Sequence, residues 1–297
     1  MRALVVGGAG FVGSHVADAL SAAGHETTIF DHAPSPWLAA GQTMVIGDTS
    51  DLGAVTAAVR GQDAVLNFAG IADIDEARRR PIDTVTVNVL GNANVLEACR
   101  VEGVTRYVFA SSIYVASEAG SFYRVSKQAC ELYIEEYARE FGIEATIVRY
   151  GTLFGRRADP RNSVHRYLRA ALVDRRIVAE GTGEELREYI HVEDAARLTV
   201  DVLAGPYVGE QVVLTGHHPM RYADLLRLVR EVVGEDVEIE LRPPPEDEPR
   251  SAHYAITPYA FRPRIARKLV SSYYIDMGQG LVDCLAEIHE QDGPGAS

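Results

Sequence analysis

The chain has 297 residues, 47% of them hydrophobic, which is enough for one large domain and a smaller one. A net charge of −13 with no basic tract argues against nucleic acid as a partner, and no apolar run is long enough to span a membrane. Cys99, Cys130 and Cys284 are odd in number, lie in helical patterns and lack metal-ligand spacing, so they are expected to be reduced packing residues, with no metal site, in a cytoplasmic protein without a signal peptide.

The chain opens with Ala3-Leu-Val-Val6 and runs into Gly7-Gly-Ala-Gly10-Phe-Val-Gly13, after which Val16, Ala19, Leu20 and Ala23 recur at helical spacing. That pattern predicts strand, glycine turn and helix. Glycines at such a junction allow close approach of a pyrophosphate, whose charge the helix N-terminus favours. A second run, Thr27-Thr-Ile-Phe30, ends in Asp31, where a carboxylate can accept hydrogen bonds from an adenosine ribose. Asp31 should repel a 2′-phosphate, which predicts NAD rather than NADP, with His32 the one nearby residue able to soften that preference.

Apolar runs at 3–7, 27–31, 43–47, 64–69, 106–111 and 144–149 alternate with helical patterns near 11–23, 51–60, 82–102 and 122–141. Pro81 suits the first turn of the long helix near 82–102. This alternation predicts an α/β fold with a doubly wound parallel sheet of Rossmann type and a ligand crevice at the strand C-termini. Within the last of those helices lies Tyr123-Arg-Val-Ser-Lys127, a Tyr and a Lys four residues apart on one face. An ammonium beside a phenol favours the phenolate, so the pair suits a general base. Lys127 and Lys268 are the only lysines in a chain otherwise supplied with arginine. Taken alone, the pair also suits a solvated helix face.

After Gly151 the pattern changes, with loops near Asp159-Pro160 and Gly181-Thr-Gly183, a helix near 194–204, a strand at 211–214, a helix near 221–233 and a strand at 237–241. These elements predict a smaller C-terminal α/β substrate lobe spanning most of 152–297, with the chain crossing back near 187–204, against a cofactor domain of 1–151. Pro243-Pro-Pro245 and the acids of 246–248 suggest an exposed loop. His191 suits packing among Tyr189, Ile190 and Val192, and Asp194 suits a helix cap.

Together these motifs resemble the extended short-chain dehydrogenase/reductases that act on nucleotide sugars, over about residues 1–200. The Gly7, Gly10 and Gly13 spacing, with Phe11 and Val12 inside it, resembles the extended branch. The resemblance implies further cofactor contacts at Asp48 and Thr49, at Phe68, Ala69 and Gly70 after Asn67, at Asn88, at Ser111, and at Tyr150 and Thr152, where most relatives have Asn in place of Thr152. It also implies catalysis by Ser112, Tyr123 and Lys127, and substrate contacts from Ser112, Tyr114, Tyr123, Thr152, Arg187 and Arg250. Arg187-Glu-Tyr-Ile-His-Val-Glu-Asp194 is similar to the segment whose Arg holds a substrate phosphate.

A tyrosine base working near neutral pH needs its pKa lowered by about 3 units from about 10, equivalent to ~4 kcal/mol, which Lys127 and the positive nicotinamide ring together are expected to supply. Dehydratases of this family carry Asp-Glu after the hydroxyl residue, where this chain has Ile113 and Tyr114, and sugar-acid decarboxylases usually keep a Glu at the place of Tyr114. The remaining Ser, Tyr and Lys imply an NAD-dependent nucleotide-sugar 4-epimerase, with a UDP-sugar as substrate, acting through a transient 4-keto intermediate. A UDP-glucuronate decarboxylase, a dehydratase, a keto reductase and a non-catalytic NAD-binding sensor remain alternatives. The resemblance also implies a homodimer through a four-helix bundle of the helices near 82–102 and 122–141, in which Val95, Leu96, Cys99, Leu132, Tyr133 and Tyr137 supply the apolar face or, equally well, are buried against the chain's own sheet.

Overall fold

The apolar run after Met1 forms β1 (Arg2–Val6), buried from Ala3 onward, and the glycine turn delivers it into α1 (Phe11–Ala22). The alternation continues through β2 (Glu26–Asp31), β3 (Thr43–Ile46), α2 (Leu52–Val59) and β4 (Ala64–Asn67). Next come α3 (Ile74–Arg79) and α4 (Pro81–Thr84), the latter running through a π-helical turn (Val85–Leu90) into α5 (Gly91–Glu102). β5 (Arg106–Ser112), α6 (Ser121–Phe141) and β6 (Glu144–Tyr150) complete the first half. The second half contains β7 (Thr152–Phe154), α7 (Ser163–Val173), β8 (Arg176–Glu180), β9 (Leu186–Arg187), β10 (Tyr189–His191) and α8 (Val192–Asp201). It ends with β11 (Gln211–Leu214), β12 (Met220–Arg221), α9 (Tyr222–Val233), β13 (Glu238–Arg242), β14 (Arg267–Leu269) and α10 (Met277–Asp292). The computed structural model describes residues 1–242, 256–257 and 266–292.

Eight strands form one parallel sheet in the order β14-β11-β6-β5-β4-β1-β2-β3. The order reverses between β1 and β4, so the ends of these two strands open the crevice in which a doubly wound sheet binds its ligand. One face of the sheet is covered by α1 and α8, whose Val16, Leu20, Ala195 and Val202 share a core with Val5 and Val148. The other face is covered by α2, α5 and α6, through Val55, Leu96, Cys99 and Ile134. Each such aliphatic side chain contributes about 1.5–3 kcal/mol relative to exposure. A separate core joins α7, α9 and α10 around Leu168, Leu225 and Leu281.

Four expectations change. The strand at 211–214, expected in the C-terminal lobe, pairs with β6 in register from Gln211 opposite Ile147 and so extends the main sheet. The long helix expected near 82–102 is interrupted by its π turn, and the unanticipated α3 precedes it, capped by the Asp73 carboxylate accepting from the Glu76 N–H at 2.7 Å. Val95, Leu96 and Cys99 are buried against the chain's own sheet and cannot form an outer apolar face. Exposed apolar residues on these helices are instead Ile82, Val85, Leu90, Phe122, Val125, Leu132 and Tyr133.

Candidate active site

The glycine turn is built by close packing as much as by conformational freedom. A Cβ on Gly13 would lie 2.3 Å from the Gly7 carbonyl oxygen, and one on Gly7 would lie 2.5 Å from the Ala69 nitrogen, so this turn and the turn after β4 are pressed together. Gly10, at the start of α1, is exposed, and a Cβ there would meet nothing nearer than 3.4 Å, which leaves the helix N-terminus open to a pyrophosphate. Phe11 and Val12 begin the helix, the Phe11 ring standing edge-on to His15 with centroids 6.1 Å apart. The buried Asp31 carboxylate ends β2 and accepts from the Ala9 N–H at 3.0 Å, so it braces the turn, while His32 Nδ1 stands 2.8 Å from its other oxygen.

Asp48 is exposed, and the Ser50 N–H donating to it at 2.8 Å holds its carboxyl below the usual range. The Thr49 carbonyl accepts from the Asn94 side chain at 2.8 Å, tying the end of β3 to α5. At the end of β4, the Asn67 side chain accepts from the Ala69 N–H at 3.1 Å and shapes the Phe68-Ala69-Gly70 turn. Asn88 lies in the π-helical turn, a distortion common at functional positions. Its amide grips the Ile71 backbone in both directions, at 2.7 and 3.1 Å, and donates to Ser126 Oγ at 2.9 Å. Ser126 in turn donates to the Tyr123 carbonyl at 2.8 Å, so Asn88 fixes the helix carrying the Tyr and Lys.

β5 ends at Ser112, whose hydroxyl oxygen accepts from the Tyr114 N–H at 3.3 Å as the chain enters a short 3₁₀ turn. The structure brings Ser112, Tyr123 and Lys127 together at the end of this strand, all nearly buried. Lys127 Nζ donates to the Ala110 carbonyl at 2.7 Å and lies 4.7 Å from the Phe109 ring centroid and 5.9 Å from that of Tyr123. Burial pushes the Tyr123 phenol up, with the Ser112 hydroxyl pulling the other way, and burial lowers the Lys127 ammonium. Tyr114 stands edge-on to Tyr123 with centroids 6.3 Å apart.

Two expected cofactor residues spend their hydroxyls inside the protein. Ser111 donates to Glu131 at 2.6 Å, and Glu131 takes a two-point contact from Arg149 at 2.9 and 2.6 Å, a buried network under the site that sequence reasoning missed. The Tyr150 hydroxyl shares a hydrogen bond with Thr199 at 2.6 Å, and burial raises its pKa. Its ring, 6.2 Å from that of Phe68, still walls the crevice. Thr152 opens β7 and pairs with Tyr189 of β10. Arg187 sits on β9 with its guanidinium 5.8 Å from the Tyr222 ring centroid. Arg250 lies outside the described residues. His191 is a buried helix cap, its Nδ1 accepting from the Glu193 N–H at 3.3 Å, while Asp194 accepts from the Ile275 N–H at 2.8 Å instead of capping α8.

Residues 3–214 match the model of the NAD dependent epimerase/dehydratase family, and the chain belongs to that family. A putative UDP-glucose 4-epimerase of Methanocaldococcus jannaschii is 28% identical over 228 residues, covering 67% of this chain and 72% of the relative. A dTDP-glucose 4,6-dehydratase of Mycobacterium tuberculosis is 26% identical over 266 residues, covering 80% of this chain and 78% of the relative. Among solved structures, the Thermus thermophilus UDP-glucose 4-epimerase in complex with NAD superposes with a TM-score of 0.82 at 25% identity, over 97% of this chain and 99% of that one. The family is NAD-dependent, and the open glycine turn, the crevice between β1 and β4 and the buried Ser112-Tyr123-Lys127 group fit a dinucleotide. Among the described residues no helix is long and apolar enough to cross a membrane.

Proposed function

We propose that this enzyme is a nucleotide-sugar 4-epimerase whose substrate is a UDP-sugar. The observation that carries the proposal is the buried Ser112-Tyr123-Lys127 group, whose neighbouring carboxylate, Glu131, is already held by Arg149 and Ser111. A site so furnished can remove and return one hydroxyl proton, and the positions after Ser112 that carry Asp-Glu in dehydratases are Ile113 and Tyr114 here. UDP-sugar epimerases among the relatives support the choice. The residues expected to hold NAD are Gly7, Gly10, Phe11, Val12, Gly13, Asp31, Asp48, Thr49, the Phe68-Ala69-Gly70 turn, Asn88 and Thr152, with residues 1–151 as the cofactor domain and 152–297 as mostly substrate lobe.

NAD held by these residues would supply hydride transfer from and back to the sugar carbon, and its positive ring would favour the Tyr123 phenolate. Tyr123 takes the proton of the sugar 4-hydroxyl as the carbon is oxidised to a ketone, and Ser112 donates a hydrogen bond to the same oxygen. Its hydroxyl oxygen already accepts from the Tyr114 N–H, which leaves the O–H to donate. Lys127 anchors to the Ala110 carbonyl and keeps a positive charge under the phenol. Turning the keto sugar over exposes its other face, and Tyr123 gives the proton back as the carbon is reduced. Arg187 holds a phosphate of the substrate. A second reading, a decarboxylase or dehydratase using Tyr114 as a proton donor, is kept in view by the contact of that ring with Tyr123.

Incubating the enzyme and NAD with UDP-, dTDP- and GDP-sugars, followed by mass spectrometry and proton NMR, tests the proposal. An isomer of unchanged mass is expected, and loss of carbon dioxide or water contradicts it. A homodimer through α5 and α6 is part of the same proposal, supported by Leu132, 62% exposed, with Phe122 and Val125 on the outer side of α6. Leu132→Asp is then expected to sediment as a monomer, and a wild-type chain that is monomeric at every concentration contradicts the dimer.

A further inference from the structure

Arg187 stands on a strand of only two residues, paired with the equally short β12. So little ladder cannot fix a long side chain on its own. The backbone on both sides of Arg187 is instead held by residues far along the chain. The Leu186 carbonyl accepts from the Thr257 N–H at 3.2 Å, the Glu188 N–H donates to the Thr257 hydroxyl at 3.2 Å, and Leu186 bridges to Ile256. Thr257 therefore clamps the backbone across Arg187.

The Glu188 carboxylate adds a second tie. It is buried and accepts from Lys268 Nζ at 2.8 Å and from the Thr215 hydroxyl. Lys268 belongs to β14, and Thr215 directly follows β11, so both partners stand on the outer strands of the main sheet. Gly216 brings the two layers into contact, since a Cβ there would come within 2.1 Å of the Tyr189 carbonyl oxygen. A buried carboxylate deprived of its cation is strongly unfavourable, so loss of Lys268 forces Glu188 to move, and Arg187 is its neighbour in the chain.

We infer that Glu188 and Lys268 are positioning residues for Arg187: the pair fastens the strand carrying the phosphate ligand to the sheet carrying the cofactor, and it sets affinity for the nucleoside diphosphate without touching it. The inference rests on the reading of Arg187 as the phosphate ligand. The test is calorimetric titration of the full-length wild-type, Lys268→Met, Lys268→Arg and Arg187→Gln enzymes with UDP and separately with NAD, alongside steady-state kinetics. For Lys268→Met the expected result is a rise of about tenfold in the UDP dissociation constant and in KM, with kcat and NAD affinity unchanged. Lys268→Arg should recover most of the loss, and Arg187→Gln should lose at least as much UDP affinity as Lys268→Met. Wild-type UDP affinity in Lys268→Met beside a weakened Arg187→Gln overturns the positioning role alone, as does a parallel loss of UDP affinity, NAD affinity and kcat. Wild-type UDP affinity in Arg187→Gln overturns the phosphate reading and the inference with it. Should Lys268→Met fail to fold, Thr257→Val releases the same clamp from its other side, and an unchanged KM there overturns the inference.

Discussion

Before Gly151 the chain places its functional groups by local rules; after Gly151 it places them by contacts between distant segments. Tyr123 and Lys127 are set by four residues of one helix, and the glycine turn by seven residues between a strand and a helix. The strand carrying Arg187, by contrast, is flanked by Glu188, whose partners Thr257, Lys268 and Thr215 each lie on a different segment. The residues proposed as catalytic are therefore set by short spacings, whereas the residue proposed to hold the substrate phosphate lies on a strand held by contacts across the fold.

The largest effect is expected at the local end. Tyr123→Phe should reduce kcat by about 10²–10⁴-fold, the usual contribution of a positioned proton-transfer group, while NAD affinity measured by titration stays close to wild type. Full turnover in that variant contradicts the assigned role.

A smaller effect separates the two halves in stability. Arg149→Met strands the Glu131 carboxylate in the buried network beneath the site, and urea unfolding should show a loss of about 3–5 kcal/mol. The exposed pair Arg176–Glu240, which joins β8 to β13 in the second half, should cost under about 1 kcal/mol when Arg176 is replaced by Met. Equal losses would remove the distinction between the halves.

The smallest expected effect is on acid stability. Burial lowers the pKa of both His15 in α1 and His191 before α8 below 6.5. Because the folded state disfavours the protonated ring, their contribution is complete above the unfolded value and is lost as pH falls through the lowered one. Thermal midpoints recorded from about pH 8 down to about pH 5 should therefore fall at the acid end. His191→Asn, which retains a capping side chain, should fall less steeply, and an unchanged slope would show that His191 does not contribute.

Much of this architecture was legible in the sequence because its signals are short-ranged. The runs from Ala3 to Val6, Thr27 to Phe30 and Ala64 to Asn67 alternate with helical periods, which is enough to foresee a parallel sheet without reference to distant residues. The cap of α3 was also available, since Asp73 stands three residues before Glu76 in the manner of a capping pair. The π turn around Asn88 and the network of Ser111, Glu131 and Arg149 were not, because each depends on side chains meeting across strands and helices that no spacing announces. The same holds for one contact of Lys127: four-residue spacing put it on the face of Tyr123, but no spacing announces the Ala110 carbonyl to which its ammonium donates. The strand at Gln211–Leu214 was visible as a strand, whereas its place beside β6 followed from the long crossover through α8.

Epimerisation at this site is tested most directly by the fate of the hydrogen on C4. A UDP-sugar deuterated at C4, incubated with the enzyme and NAD in ordinary water, should yield its 4-epimer with the deuterium still on C4, because Tyr123 moves only the hydroxyl proton and the hydride returns to the carbon it left. Deuterium appearing at another carbon, or a product lighter by water or carbon dioxide, would contradict it.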